Sequence, residues 1–351
     1  MNKPSWTIPA ALLLAGSLLL SACGSGAATK GMEKEGPGGA AAPAAQTQKL
    51  VMASWSKPIA EQTNLYQAEA QGWFKEKGID FTFVPGAGGG DAIKNILTKQ
   101  ADIAFTDPGS LYFALEKGEK LRVIYNIYPQ NVFNVVSLKE KGIREPKDLK
   151  GKKIGVYSLA SGTRHNLLVL LHQAGLSEKD VTIIETGVSN FAPLIQGQVD
   201  ATAATDTGLA DAKLKGLGEV NELRVADSLN VPSDVFVVTE ETLTQKKELL
   251  KSFLAVYKRS AQWMIDKPEE AAAVAVAKAI DGQDKARNRE VIKLRNASAL
   301  TPGGQPLGTL DAALLQQGAD LYKRLGLIQK DLSLKDIVTN ELLPIEEGAK
   351  K

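Results

Sequence analysis

The segment Ser158–Leu159–Ala160–Ser161–Gly162–Thr163–Arg164 places hydroxyl side chains, a glycine and an arginine just ahead of an amphipathic run ended by Gly175. Hydroxyls, unpaired helix N–H groups and a positive helix end would converge there, which suits a carboxylate, a sulfonate or another acceptor-rich head group. Arg164 falls in the first helical turn, a poor place for a cation unless an anion is near, so it either meets a ligand or faces solvent. Thr205–Asp206–Thr207 follows one apolar run and precedes another. Asp206 would repel a plain anion and suits an amino group or a ring N–H. Ser54–Trp55–Ser56 closes the first apolar run and offers Trp55 as a flat wall. In Thr106–Asp107–Pro108–Gly109–Ser110, Asp107 either caps the helix opening at Pro108 or faces a ligand, with Ser110 in the same turn. The run Pro85–Gly86–Ala87–Gly88–Gly89–Gly90–Asp91, with Gly89 within it, either cradles an anion on its N–H groups or shapes a loop.

Catalysis is poorly served by these residues. Ser161, His165 and Asp206 make a triad on paper, but Ser161 lacks the Gly-x-Ser-x-Gly elbow and lies beside His165 at one helix end. No carboxylate pair suits sugar hydrolysis. The glycine run matches neither the phosphate loop nor the dinucleotide fingerprint, so no cofactor is expected. With two histidines and one cysteine in the chain, no metal site is expected either. The 42 basic and 40 acidic residues are well mixed, which argues against nucleic acid as a partner.

Stepping outward, Met1–Asn2–Lys3 gives a basic start, Ile8 to Leu20 an apolar run, and Ser21–Ala22–Cys23–Gly24 small residues at a cut site. This is the layout of a secretory signal peptide, and the apolar run is short for a spanning helix. Leu20–Ser21–Ala22–Cys23 resembles a bacterial lipoprotein cleavage box, in which the cysteine is lipidated. That resemblance implies a signal peptide over 1–22, removal of the one free thiol by acylation at Cys23, and a location outside the cytoplasm. Residues 23–48, rich in Gly, Ala, Pro, Thr and Gln, read as a flexible tether.

The remaining residues, about 300, suffice for two domains. Strand-like and helix-like runs alternate from Lys49 to Tyr128, with helices at Thr63–Lys77, Asp91–Gln100 and Pro108–Lys117. The alternation resumes from Lys152 to Lys215, and from Leu249 the chain is mostly helical, interrupted at Pro268 and Gly282. An α/β fold follows. Val132–Leu138 and Val235–Thr239 flank the second block, and they are either a hinge between two lobes or ordinary strands of one large domain.

The chain resembles the solute-binding proteins of bacterial ATP-driven (ABC) importers, in the branch for nitrate, sulfonates, taurine and thiamine-precursor pyrimidines. Tyr66–Gln67–Ala68–Glu69–Ala70–Gln71–Gly72–Trp73–Phe74, Ala101–Asp102–Ile103–Ala104–Phe105 and Asp148–Leu149–Lys150–Gly151–Lys152–Lys153 carry the likeness. Ser161–Gly162–Thr163, Gln198–Val199–Asp200–Ala201 and Lys267–Pro268–Glu269 add to it. The resemblance implies a two-lobe type II periplasmic-binding-protein fold, with each lobe a mostly parallel sheet flanked by helices. Lobe 1 is expected over 49–134 and 237–351, lobe 2 over 135–236, and the two flanking strands become the hinge. It also implies no catalysis, a monomer anchored to the membrane by lipid, and a solute passed to a membrane permease. The expected contacts are Trp55, Gly89, Asp107, Ser110, Ser158, Ser161, Thr163, Arg164 and Asp206. The solute is expected to be organic, either a sulfonate or similar zwitterion or a pyrimidine-like heterocycle. A sensor of the same fold and a secreted hydrolase are the alternatives.

Overall fold

The computed structural model describes residues 47–344 apart from 190 and 302; Cys23 and the tether up to residue 46 lie outside them. The first lobe opens with β1 (Gln48–Ser54), α1 (Thr63–Ala70), α2 (Trp73–Glu76), β2 (Ile79–Val84), α3 (Gly89–Leu97), β3 (Ile103–Thr106), α4 (Pro108–Glu116) and β4 (Leu121–Tyr128). The second lobe runs through β5 (Phe133–Leu138), β6 (Lys153–Val156), α5 (Gly162–Gln173), β7 (Thr182–Glu185), α6 (Ala192–Ile195), β8 (Ala201–Thr205), α7 (Asp206–Leu214) and β9 (Val220–Arg224). The chain returns to the first lobe with β10 (Asp234–Thr239), α8 (Glu240–Gln245), α9 (Lys247–Asp266), α10 (Pro268–Lys278), α11 (Lys285–Ala299) and α12 (Ala312–Arg324).

Each lobe is a five-stranded sheet, ordered β2-β1-β3-β10-β4 in the first and β7-β6-β8-β5-β9 in the second. In both, one strand runs against its neighbours: β10 pairs antiparallel with β3 and β4, and β5 does so with β8 and β9. The sheets are therefore mixed, because the strand entering each sheet from the other lobe arrives reversed. Period-two alternation sorts the side chains. Leu50, Met52, Ile103, Phe105, Phe236 and Val238 face a core shared with α1, α9 and α10. Ala53, Ala104, Val235 and Val237 face the opposite side, where one apolar cluster continues through α4 and α12 to α5 of the second lobe.

Two expectations shift. Gly72, at φ 71°, breaks the helix expected over Thr63–Lys77 into α1 and α2. The strands read as a hinge are not themselves the crossings, since β5 pairs only within the second sheet and β10 only within the first. The chain crosses just ahead of each, over 129–132 and 228–233. These two segments are tied side by side: Ser233 Oγ donates to the Gln130 carbonyl at 2.7 Å, and the Asn131 N–H donates to Asn230 Oδ1 at 3.0 Å.

Candidate functional site

Between the lobes lies a cavity of about 30 Å³, counted as space open to the centre of a water molecule. That is room for about two waters. Rings enclose it from both lobes: Trp55 at the end of β1, Tyr157 after β6, and Phe133 at the start of β5. Trp55 meets Tyr157 edge-to-face across the cleft, with centroids 5.9 Å apart. A second crevice, of about 410 Å³ by the same measure, shares Trp55, Glu61, Tyr157, Thr163 and Thr205 with the first. Val188, Phe191, Ile195 and Ile280 add apolar surface to this outer vestibule.

The polar lining of the inner chamber is acid-rich, with Glu61, Asp107 and Asp234 facing a single cation, Arg295. Arg295 is 1 % exposed. Its Nε donates to Glu61 Oε2 at 2.8 Å and its Nη2 to Thr207 Oγ1 at 2.8 Å, with Asp206 Oδ1 at 3.1 Å. The guanidinium also lies over the Tyr128 ring, 4.7 Å from its centroid. Two buried donors here have no hydrogen-bond partner, Arg295 Nη1 and Trp55 Nε1. Leaving a buried donor unmet costs about 1–3 kcal/mol, and more on a charged group. Burial, then the charges of Asp107 and Glu61, push the Asp234 carboxyl well above the usual carboxylate range, against the pull of Arg295.

Trp55, Gly89, Asp107, Ser161 and Thr163 from the expected set line this chamber. Their polar atoms are largely engaged with the protein itself. Asp107 caps α4 by accepting from the Ser110 N–H at 2.9 Å, and it accepts from Ser110 Oγ at 2.7 Å. Its Oδ1 also lies 2.9 Å from His165 Nδ1 on α5, a bond between the lobes. Burial raises the Asp107 carboxyl, but His165 and Ser110 outweigh it and hold it below the ordinary value. Capping and a cleft position, set as alternatives by the sequence, are both occupied. The hydroxyls at the start of α5 brace the loop before it: Ser161 Oγ donates to the Ser158 carbonyl at 2.6 Å, and the Tyr157 N–H donates to Thr163 Oγ1 at 2.9 Å.

Four expected contacts sit elsewhere. Ser110 lies behind Asp107, and Ser158 Oγ bonds the Ala87 carbonyl across the cleft. Arg164 makes a two-pronged pair with Glu178, at 2.7 and 2.6 Å, on the side of α5 away from the chamber. That anion answers the question of a cation in a first helical turn. Asp206 pairs with Arg295 and is not free for a solute; burial raises its carboxyl against the pull of that arginine. The glycine run serves lobe geometry. The Gly90 N–H donates to the Ala160 carbonyl at 2.9 Å, so a carbonyl of the other lobe takes the first turn of α3 where an anion was considered.

Glu61, Phe133, Tyr157, Asp234 and Arg295 were missed. Arg295 left a signal: with Val291, Ile292 and Ala299 it falls on the apolar side of one helix, an odd place for a cation without function.

The family model described as NMT1/THI5 like matches residues 59–271. A riboflavin-binding protein of Chloroflexus aurantiacus, RibY, is 25% identical over 340 residues, 93% of this chain and 95% of that one. A formylaminopyrimidine-binding protein of Halalkalibacterium halodurans is 25% identical over 225 residues, 63% of this chain and 67% of that one. In fold, the alkanesulfonate-binding protein SsuA from Xanthomonas axonopodis pv. citri, bound to MOPS, gives a TM-score of 0.66 at 19% identity, covering 86% of this chain and 100% of that one.

Proposed function

This chain belongs to the NMT1/THI5-like family, and from that premise we propose that it is a receptor for a nitrogen heterocycle. It is an extracytoplasmic solute-binding protein that captures a small organic molecule between its lobes and delivers it to an ATP-driven importer. The observation that carries the choice of solute is the chamber itself, with rings from both lobes and three carboxyl groups against one guanidinium. A plain anion would enter beside the carboxylates of Glu61 and Asp107. The chamber's one cation, Arg295, is already paired with Glu61 and Asp206, and like charges in a closed chamber repel. A flat heterocycle with ring N–H or amino donors meets no such penalty. The repulsion first placed on Asp206 thus falls on Glu61 and Asp107. The names of the riboflavin- and formylaminopyrimidine-binding relatives favour the same class. The inner chamber is too small for a whole ring, so such a solute extends into the vestibule or binds as the lobes part.

Trp55 walls the solute, Gly89, Ser161 and Thr163 border it, and Asp107 holds the rim of the chamber closed through His165. The receptor acts as a monomer, held to the membrane by acyl chains on Cys23, and the permease reads its closed form. Mass spectrometry of solute released from gently purified protein tests the reading. Recovery of a pyrimidine, flavin or related heterocycle is expected; recovery of an alkanesulfonate overturns the choice of class, and turnover of an added ester or glycoside overturns the receptor role.

A further inference from the structure

Arg295 is the cation of the chamber, and it bonds both lobes. Glu61 and the Tyr128 ring fix it within the first lobe, and Thr207 and Asp206 at the start of α7 tie it to the second. Arg295 and Trp55 both line the chamber, and each carries a buried donor without a partner, Nη1 and Nε1. A guanidinium carries five N–H donors in a rigid fork, so the atoms that hold the lobes and the atom left over cannot be repositioned independently.

We propose that Arg295 couples solute capture to lobe closure: Nη1 donates to an acceptor atom of the solute, a carbonyl oxygen or an unprotonated ring nitrogen, while Nη2 holds the second lobe. This rests on the receptor reading of the cleft and deepens it, because it requires the heterocycle to present an acceptor beside its donor edge. When the lobes part, Asp206 and Thr207 leave with the second lobe, while Glu61 and Tyr128 keep the guanidinium where a solute can reach it. A solute that then fills Nη1 steadies the fork in the orientation that α7 needs. That interaction favours the closed form over the open one, which a population shift requires. A neighbouring pair provides the contrast: Arg287 reaches Asp211 across the cleft at 2.8 Å but borders only the vestibule.

The test compares Arg295→Lys, Arg295→Gln and Arg287→Gln in the full chain. Interlobe distance is read from spin labels at Glu69→Cys and Lys179→Cys in a Cys23→Ser background. Affinity is read with riboflavin and 4-amino-5-hydroxymethyl-2-methylpyrimidine as probes. Without probe, Arg295→Gln is expected to lengthen the interlobe distance and added guanidinium ion to shorten it again. With probe, both Arg295 variants are expected to lose about tenfold or more in affinity. Arg287→Gln is expected to open the lobes without probe and to weaken probe binding only by the factor its closed fraction falls, whereas Arg295→Gln is expected to weaken it by more than its own fall in closed fraction. Arg295→Lys keeps the charge and guards against a variant that fails to fold. Probe affinity in Arg295→Lys equal to wild type, or an unchanged distance in Arg295→Gln, overturns the coupling. Failure of every probe to bind wild-type protein counts against the receptor reading and this one together, whereas equal binding by wild type and Arg295→Lys counts against this one alone.

Discussion

Asp234 is a buried carboxyl at the start of β10, and its proton affinity is raised mainly by the loss of water around it and then by Asp107 and Glu61. A carboxyl raised on folding binds a proton that the unfolded chain has already released. Stability therefore falls as pH climbs from the ordinary value of 3.8 towards the raised one. Asp234→Asn removes that loss. Its melting temperature in the solute-free protein is predicted to exceed wild type at pH 7, with the gap narrowing towards pH 4. A variant no more stable than wild type at neutral pH would show that Asp234 is not a strained acid. Trp55 belongs to the same chamber, and Trp55→Ala is predicted to weaken heterocycle binding by about 1–3 kcal/mol, roughly five- to a hundredfold, measured by calorimetry. Trp55 was legible in the sequence because a tryptophan at a strand end has few structural uses. Asp234 and Arg295 were not, because their partners Asp107, Asp206 and Glu61 lie on segments far apart in sequence and only the fold brings them together.

Among the elements, the loops at strand ends were legible as cleft borders from their composition, whereas their roles depended on what faces them. The glycine run is the clearest instance. A Cβ on Gly88 would lie 2.4 Å from the Ala160 carbonyl oxygen of the other lobe, at a φ of 137° that side chains rarely adopt. The run is thus a seat for the loop before α5. Gly88→Ala is predicted to hold the lobes apart and to weaken solute binding about tenfold, as a tenfold fall in the closed fraction would. Titration of the variant beside wild type checks this; unchanged affinity would mean that the contact between Gly88 and Ala160 does not limit closure. Helices and strands were placed well because their apolar spacing is local information. The sense of β5 and β10, and with it the true site of the crossings, depends on pairing between distant strands, which spacing does not encode.

For the whole molecule, the two-lobe architecture was legible because motif order over most of the chain resembles one family of receptors. The anchoring proposed at Cys23 belongs to this scale. Cys23→Ser is predicted to move the protein from the membrane fraction to the soluble one and to abolish acyl labelling. Equal membrane retention would remove the anchor from the account. One acyl chain alone binds membranes only marginally, so stable retention of wild type requires more than one. The central claim, that this receptor closes on a nitrogen heterocycle and not on a plain organic anion, is tested most directly by calorimetric competition on the wild-type protein. Riboflavin and 4-amino-5-hydroxymethyl-2-methylpyrimidine are each titrated in the presence and absence of an excess of an alkanesulfonate. The acid-rich chamber predicts saturable binding of at least one heterocycle, with affinity unchanged by the sulfonate. Saturable sulfonate binding that displaces the heterocycle, or sulfonate binding with none by either heterocycle, would contradict it.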